Sequence, residues 1–374
     1  MSGVRHLYVH LPFCAHRCGY CDFVTVTDHE AQHDVYVDAL TAELELERPL
    51  LAPDLETIFV GGGTPTFTRV HALQRLLSAL GGAQEVTVEA NPETLTAELA
   101  SMLRRAGVTR VSLGAQSFQP DLLRVLERRA QPDDVRRALY GLRDANFDNV
   151  SLDLIYGIPG QSAAALDRDL DEALALEPDH LSCYELEAKP GTRFTHTFGD
   201  ELRRQADAME GYFEQVVARL TAEGFRWYET ANFCHSGAPQ EADDFRSRHN
   251  LAYWLGRDYL GLGIGAVSTV AGRRWRNTPR LGSYVAELRR GERPTRDVEP
   301  LNDETRRRER VMLGLRLDEP LPLHGLDDVL DADALVRLER ADLAVRSGSN
   351  GDAALTLTPR GRFLGDGVTA ALLV

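Results

Sequence analysis

Long apolar runs are missing from this sequence of 374 residues. The runs it has are strand-sized, as in Thr57 to Val60, and none approaches the roughly 20 residues that a helix needs to cross a bilayer. This excludes a membrane-spanning helix. Met1 to Pro12 also lack the basic start, apolar stretch and small-residue cleavage site of a secretory signal. We therefore expect a cytoplasmic protein.

Lysine is nearly absent as well, and acidic residues exceed basic ones. Lys189 is the only lysine, and 57 Asp and Glu stand against 42 Lys and Arg, for a formal net charge of −15. An acidic protein repels phosphate backbones, and its arginines form no stripe, so nucleic acid is not an expected ligand. The hydrophobic fraction of 43% is that of a globular protein, and the length predicts one large domain with a smaller one.

Cysteine is scarce, but three of the five cysteines fall within eight residues, at Cys14, Cys18 and Cys21. An odd number with this spacing is a poor disulfide framework. Three thiolates so close in sequence face a common centre only if the loop wraps around it. Soft sulfur ligands of this kind select zinc or an iron–sulfur cluster, so the run predicts a metal centre.

The two metals differ in the further ligands they require. A structural zinc site completed by His10 or His16 is one interpretation, but zinc usually takes four ligands from two paired clusters. Here Cys183 and Cys234 are isolated and form no second pair. A [4Fe–4S] cluster is therefore the preferred interpretation. Held by three cysteines, it leaves its fourth iron open to a small molecule.

Short β-branched runs alternate with helical patterns from residue 7 to about 187. The predicted strands are Leu7 to Leu11, Thr57 to Val60, Glu85 to Ala90, Arg110 to Gly114, Asn149 to Ile155 and His180 to Leu186. The predicted helices lie near 33–48, 69–80, 95–106, 132–145 and 163–177. Six such units with right-handed crossovers form an open doubly wound sheet or a partial barrel, and periodicity alone does not choose between them.

Beyond residue 190 this alternation stops. We expect a helix near 200–223, a strand from Phe225 to Phe233, a polar and aromatic loop at 235–260 and a glycine-rich segment from Gly261 to Ser268. The last part resembles a winged-helix module, with a helix at Thr305 to Leu315, a strand at Ala354 to Thr358 and a final helix from Pro359.

The predicted domains are 1–190, 191–300 and 301–374. In the last of them 13 acids stand against 10 arginines, which disfavours DNA binding.

Polar residues and glycines cluster where the predicted strands end, the edge at which ligands gather in both architectures. Gly61-Gly62-Gly63-Thr64-Pro65 follows the second strand, and glycines let a backbone approach a ligand closely. Taken singly, each residue fits equally well as a turn, a helix cap, an ion pair or a core residue. The set comprises Gly62, Gly63, Thr64, Glu89, Gln116, Arg128 and Asp153, with Tyr8 and Tyr20 flanking the cysteines.

With its C-x3-C-x2-C loop after the first strand and these motifs in order, the sequence resembles the radical S-adenosylmethionine (SAM) superfamily over residues 5–190. The resemblance implies an α/β fold, a partial (β/α)6 barrel, with a [4Fe–4S] cluster on Cys14, Cys18 and Cys21. SAM would chelate the open iron and be cleaved by an electron from the cluster. By the same resemblance the strand-end residues would contact the methionine or ribose of SAM. Tyr8 and Tyr20 would serve as adenine or backbone contacts.

A second motif lies in Arg248-His249-Asn250-Leu-Ala-Tyr253-Trp254. Such aromatics ordinarily pack in a core, but imidazole is also a common axial ligand of haem iron. The H-N-x-x-Y-W string, together with Gly261 to Ser268, resembles the HemW branch of the coproporphyrinogen dehydrogenase-like radical SAM proteins. That resemblance implies a haem chaperone with His249 as iron ligand and an acceptor protein for the haem, a membrane haem enzyme among the candidates.

An enzyme acting on a tetrapyrrole is the alternative. Coproporphyrinogen III dehydrogenases carry a further cysteine, C-x3-C-x2-C-x-C, where this chain has Phe23, and a long N-terminal arm, where only 13 residues precede Cys14. Both departures favour the chaperone. The sequence leaves open whether SAM is cleaved, which protein accepts the haem, whether haem is attached covalently, and the oligomeric state, with a dimer among the alternatives.

Overall fold

Strands and helices alternate through the first half of the chain in the computed structural model, which describes residues 3–27, 29–189, 193–235, 244–348 and 352–374. The strands are β1 His6–Leu11, β2 Leu55–Gly62, β3 Ala83–Ala90, β4 Arg110–Gln116, β5 Val150–Tyr156 and β6 His180–Glu185. The helices are α1 His33–Glu47, α2 Val70–Leu80, α3 Ala97–Arg105, α4 Pro120–Val125, α5 Pro132–Asp144 and α6 Ala163–Leu174.

The second half contributes shorter elements. Its strands are β7 Phe225–Trp227, β8 Asn232–His235, β9 Leu260–Leu262, β10 Val267–Val270, β11 Arg273–Asn277, β12 Arg296–Pro300, β13 Leu321–Pro322, β14 Ala344–Ser347 and β15 Ala354–Leu357. Its helices are α7 Arg193–Gln205, α8 Met209–Ala222, α9 Arg248–Trp254, α10 Leu281–Arg289, α11 Asp303–Gly314, α12 Ala332–Arg340, α13 Pro359–Phe363 and α14 Gly365–Leu372. No described helix combines the length and apolar character that crossing a bilayer requires.

The order of strands decides between the two predicted architectures. The main sheet runs β7-β8-β6-β5-β4-β3-β2-β1-β9, and β1 to β6 are parallel neighbours in chain order. A doubly wound sheet reverses its strand order at a switch point, and this one does not. Right-handed crossovers without a reversal place the helices on one face, so the sheet curls around the other. The partial barrel is confirmed.

Two details of the sheet differ from expectation. The glycine-rich segment supplies β9, which pairs in parallel with β1 and extends the barrel edge. The single strand predicted from Phe225 to Phe233 is wrong, because the chain turns back between β7 and β8, which pair antiparallel. Within that turn the Trp227 indole N–H donates to Thr230 O at 3.1 Å.

A polar network fills the barrel where its strands begin. Arg110 is only 2% exposed at the start of β4. His180 bonds through Nδ1 to Ser151 Oγ (2.8 Å) and through Nε2 to the Tyr228 hydroxyl (2.8 Å). That hydroxyl also accepts the Ser247 N–H at 3.2 Å. Because buried polar groups are costly when unpaired, this network fixes how the turn after β7 and the residue before α9 lie against the barrel.

Helix α9, which carries the H-N-x-x-Y-W string, is anchored by its N-terminus. Ser247 Oγ accepts the Asn250 N–H, and the buried Glu85 carboxylate of β3 accepts the N–H groups of Arg248 and His249, each at 3.1 Å. The first N–H groups of a helix lack partners within the helix, and a carboxylate there also complements the helix dipole. The string is therefore docked on the barrel by its backbone.

The C-terminal residues form a small module with its own apolar cluster, which includes Val311, Leu321 and Leu355. Strands β13, β15 and β14 make a three-stranded antiparallel sheet beside α11, α12 and α14, the helix-and-sheet outline expected from the sequence. The module reaches the barrel through a bidentate Arg226–Asp318 pair (2.7 and 2.9 Å). The domain boundaries at 190 and 300 stay predictions.

The buried network predicts a measurable cost for a single hydroxyl. Tyr228→Phe leaves His180 Nε2 and the Ser247 N–H without their partner, so we expect the free energy of unfolding to fall by about 1–3 kcal/mol. Urea denaturation followed by circular dichroism measures the change. Tyr140→Phe, at a ring that is 58% exposed, is the matched control and should stay within about 0.5 kcal/mol of the wild type. Equal stability of the two variants would contradict the role given to the network.

Candidate functional site

A cavity of about 1660 Å³ opens at the carboxyl ends of the barrel strands and extends into the barrel. Ligand pockets commonly measure roughly 300–1,000 Å³, so this one has room for more than one small molecule. Every predicted site residue except His249 lines it: Tyr8, Cys14, Cys18, Tyr20, Cys21, Gly62, Gly63, Thr64, Glu89, Gln116, Arg128 and Asp153.

The three clustered cysteines share the loop that follows β1. The loop is closed at its base, where the Cys14 N–H donates to Val26 O (3.1 Å) and the Val26 N–H donates to Pro12 O (2.8 Å). Cys14, Cys18 and Cys21 are all part-buried, and none is in a disulfide. The loop therefore presents three unpaired sulfur ligands to the cavity.

Neighbouring side chains set the state of these thiols. Cys14 Sγ lies 3.5 Å from Thr64 Oγ1, and Arg128 Nη1 donates to Cys18 Sγ at 3.9 Å. Burial raises the pKa of Cys14 to about 11, and it raises the pKa of Cys18 and Cys21 as well. Without a metal the thiols are protonated. Iron bound by these residues would favour their thiolate form, because the ion would be the largest local charge.

A zinc ion and an iron–sulfur cluster require different arrangements of their protein ligands. Within the described ranges, no group of three or more His, Cys, Asp or Glu side chains converges to hold a single metal ion. Zinc needs its ligands within about 2.0–2.3 Å of one point. A [4Fe–4S] cluster bonds each cysteine to a different iron, so its ligands stand apart. Three free thiols on one closed loop fit such a cluster with one iron left without a protein ligand.

The glycine loop after β2 borders the cavity with bare backbone. Gly62 has φ +113°, which side chains rarely adopt, and a Cβ there would collide with the His10 imidazole. A Cβ on Gly63 would lie 2.6 Å from the carbonyl carbon of Pro12. The Gly62 N–H donates to Glu89 Oε2 at 3.0 Å. Only glycine fits between the cysteine loop and the strand, so the backbone itself forms this wall.

Two carboxylates face the cavity from β3 and β5, the strands on either side of β4. Burial raises the pKa of Glu89 to about 7, although the Gly62 N–H partly offsets the shift, and the nearby Asp153 raises the pKa further. Burial also raises the pKa of Asp153, whose two oxygens accept the Ser112 hydroxyl at 3.0 and 3.1 Å. A cationic ligand would relieve the cost of keeping both groups ionised. The ammonium and sulfonium groups of SAM have the charge that this wall favours.

Arg128 is positioned by an amide that the sequence analysis did not single out. Its Nη2 donates to Asn91 Oδ1 and to Gly114 O, both at 2.8 Å, and Asn91 Nδ2 donates to Thr64 Oγ1 at 3.0 Å. Asn91 thus joins the glycine loop to Arg128. The signal that could have revealed it is its place one residue beyond β3, in the string that also supplies Glu89.

Gln116 has an unusual backbone. It ends β4 at φ +66°, where the register of β4 against β5 shifts. A non-glycine residue in this region costs of order 1–3 kcal/mol and persists only when its surroundings hold it. Buried Asp169 supplies that support by accepting the Phe118 N–H (2.7 Å) and the Ser117 hydroxyl (2.8 Å). Asp169 lies on α6, far along the chain, so no local pattern marks it.

The two predicted tyrosines occupy different walls. Tyr8 stacks on Phe59, with ring centroids 6.2 Å apart, and its hydroxyl bonds to His10 Nδ1 at 3.0 Å. Tyr20 packs against an apolar cluster that includes Leu122 and Ile155. Both rings line the cavity.

His249 lies behind the cavity wall. It is 1% exposed, and its ring stacks on Phe59, with centroids 5.2 Å apart. Nδ1 bonds to Thr57 Oγ1 (2.7 Å) and Nε2 to the Tyr253 hydroxyl (2.9 Å). Burial lowers the pKa of His249 to about 3, so the imidazole is neutral. Binding iron requires one of these hydrogen bonds to break, and the role of His249 as an axial ligand stays a prediction.

Part of the cavity wall comes from residues that are distant in sequence from the barrel motifs. Asn250 and Trp254 of α9 lie there with apolar and basic residues of the C-terminal module. The latter include Met312, Leu313, Arg316, Arg362, Phe363 and Leu364. Sequence analysis missed these residues, because nothing local shows that the module turns this face towards the barrel.

Comparison with known proteins gives one consistent result. Residues 8–173 match the family described as the radical SAM superfamily. The chain is 38% identical to the haem chaperone HemW of Mycobacterium tuberculosis (strain H37Rv), over 98% of this chain and 94% of that protein. It is 33% identical to HemW of Bacillus subtilis (strain 168), over 99% of each.

Among solved structures, coproporphyrinogen III oxidase (HemN) from Escherichia coli, described as a radical SAM enzyme, has a similar fold. The TM-score is 0.80 at 23% identity, covering 99% of this chain and 90% of that one. At this identity the likeness extends to the fold alone. Given the full-length similarity to the two chaperones, the chain belongs to the HemW family of haem chaperones within the radical SAM superfamily.

Proposed function

We propose that the protein is a haem chaperone that holds a [4Fe–4S] cluster and SAM in its barrel and carries haem to an acceptor. One observation carries the proposal: three unpaired thiols on a single closed loop border a cavity larger than one ligand needs. The full-length similarity to haem chaperones supports the same function.

Cys14, Cys18 and Cys21 would hold the cluster, which supplies one-electron chemistry when bound. Arg128 donates to one of these sulfurs, and such hydrogen bonds tune the reduction potential of a cluster.

SAM would lie against the strand ends. The backbone of Gly62 and Gly63 allows close approach, and the carboxylates of Glu89 and Asp153 would pair with its cationic and hydroxyl groups. Gln116 and Arg128 are held rigidly beside them. Thr64, Tyr8 and Tyr20 complete the proposed contacts.

We further propose that the chaperone acts in the cytoplasm and delivers haem to an acceptor such as a membrane haem enzyme. Its five cysteines are all free, the state that a reducing compartment maintains. Phe23, 65% exposed at the cavity, stands where the related dehydrogenases have a further cysteine, which favours a chaperone over an enzyme. Dimerisation stays a prediction.

The cluster assignment predicts that the protein loses iron when a cysteine of the loop after β1 is replaced, but not when a cysteine elsewhere is replaced. Cys14→Ala should reduce iron and acid-labile sulfide in anaerobically prepared protein from about four per chain to a small fraction of that, because two thiolates do not retain a cubane. Iron and sulfide analysis measures it. Cys234→Ala is the matched control, since Cys234 is a buried free cysteine of β8. Equal iron in the two variants would overturn the assignment.

Glu89 predicts a pH dependence of SAM binding. With its pKa raised to about 7, the carboxyl is protonated below that pH and loses its charge. SAM affinity of the cluster-loaded protein should therefore fall from about pH 8 to about pH 6, by at most about tenfold per pH unit. Equilibrium dialysis with labelled SAM measures this.

Glu89→Gln should weaken binding roughly 10- to 100-fold at about pH 8 and flatten the profile, because it removes a charged acceptor. Glu93→Gln, at an exposed residue of the same cavity, is the control. If SAM affinity depended on pH as steeply in Glu89→Gln as in the wild type, the proposed contact between Glu89 and SAM would be contradicted.

The hydrogen bonds of His249 give a test of its predicted role. Tyr253→Phe frees Nε2, so if Nε2 binds the iron, haem affinity should rise roughly 2- to 10-fold, the worth of one hydrogen bond. His249→Ala should remove the ligand and change the haem absorption spectrum. Haemin titration measures both. Unchanged affinity in Tyr253→Phe with an unchanged spectrum in His249→Ala would assign the iron to another residue.

A further inference from the structure

The C-terminal module contributes two guanidinium groups to the cavity. Arg316 follows the end of α11, and Arg362 lies in α13. Neither belongs to the set assigned to the cluster or to SAM, and both line the same cavity.

Two contacts fix the guanidinium of Arg362, and its Nη2 donor has no acceptor among the described residues. Its guanidinium carbon lies 3.6 Å from the centroid of the Trp227 ring, and Nη1 donates to Trp227 O at 2.7 Å. Nη2 is buried and has no acceptor in the described part of the chain. Burial lowers the pKa of Arg362 to about 10. A buried donor without a partner costs about 1–3 kcal/mol, more when charged, unless a ligand satisfies it.

Arg316 is held in a similar way by the H-N-x-x-Y-W helix. Its guanidinium carbon lies 4.5 Å from the centroid of the Trp254 ring. Nη2 donates to Glu229 Oε1 at 3.1 Å, and Glu229 is 1% exposed. The tryptophan of the string therefore acts here as a platform for a cation, which it holds at the cavity by a cation–π contact.

Most of the other residues with which the C-terminal module lines the cavity are apolar, with Asp366 also among them. Phe213 and Phe363 pack edge to face, with centroids 5.2 Å apart, and the set also includes Met312, Leu313 and Leu364. Apolar walls with a few fixed polar groups are typical of sites for amphipathic small molecules. Two arginines in such a wall select a ligand with a large apolar body and carboxylate groups.

We propose that Arg362 and Arg316 bind the two propionate carboxylates of haem and so seat the porphyrin between the barrel and the C-terminal module. The inference rests on the proposed haem-binding function and adds the part of the cavity that haem occupies. It concerns the carboxylates and is independent of which residue binds the iron. Haem then occupies the part of the cavity that a single small ligand would leave empty, and Trp254 positions Arg316.

Esterified haem tests the proposal on the unmodified protein. Cluster-loaded wild type is titrated with haemin and with haemin dimethyl ester, which keeps the iron and the macrocycle but lacks carboxylate charge. We expect haemin to bind at least about tenfold more tightly than the ester, as loss of a charge-assisted hydrogen bond predicts. Equal affinities would overturn the inference and leave the chaperone function standing. A wild type that binds neither compound would refute that function instead.

Variants then locate the carboxylates. Arg362→Gln and Arg316→Gln should each lower haemin affinity about tenfold and leave ester affinity unchanged, so that the preference for haemin shrinks. Arg346→Gln is the matched control, because it breaks a bidentate ion pair with Glu339 within the same module but outside the cavity. SAM binding by each variant reports an intact barrel. A preference for haemin that persists in both cavity variants would place the propionates elsewhere.

Discussion

The short loop after β1 is the constraint on which the rest of the site depends. Two backbone hydrogen bonds join its ends at Cys14, Val26 and Pro12, so three thiols are held together at the mouth of the barrel. A cluster bound by three cysteines keeps one iron open. Everything placed around the loop, from the glycine backbone to the buried carboxylates, suits a chelating, positively charged partner for that iron.

The cavity has two chemically different sides. The barrel side is polar and is built from strand ends that a parallel sheet brings to one edge. The other side is apolar with two arginines, and the C-terminal module and α9 supply it. A protein that holds SAM at one wall and a porphyrin at the other needs this division. The hydrogen bonds of Glu85 and Ser247 fix where α9 lies against the barrel.

Local sequence patterns predicted the parts of the site that lie beside predicted strands. The cysteine loop and the glycine run lie where strands end, Glu89 is the next-to-last residue of β3, and parallel pairing brings them together. Long-range pairings could not be predicted in this way. Strand β9 meets β1 from more than two hundred residues away, and Asp169 of α6 supports the backbone beside Gln116 at the end of β4.

The orientation of the side chains on α9 could not be predicted from the sequence either. The sequence predicts a loop at 235–260, which is wrong because His249, Tyr253 and Trp254 lie on α9, and it does not show that His249 turns inward to Thr57. Nor does it show that Trp254 carries Arg316. These facts follow from how α9 docks, which depends on Glu85 of β3.

Mössbauer spectroscopy of anaerobically prepared protein enriched in the Mössbauer-active isotope of iron tests the central claim most directly. Spectra recorded before and after addition of SAM should show a cubane in which about one iron in four changes its isomer shift, while the cysteine-bound irons keep theirs. A cubane in which no iron changes its isomer shift when SAM is added would contradict the account, and so would a protein without a cubane.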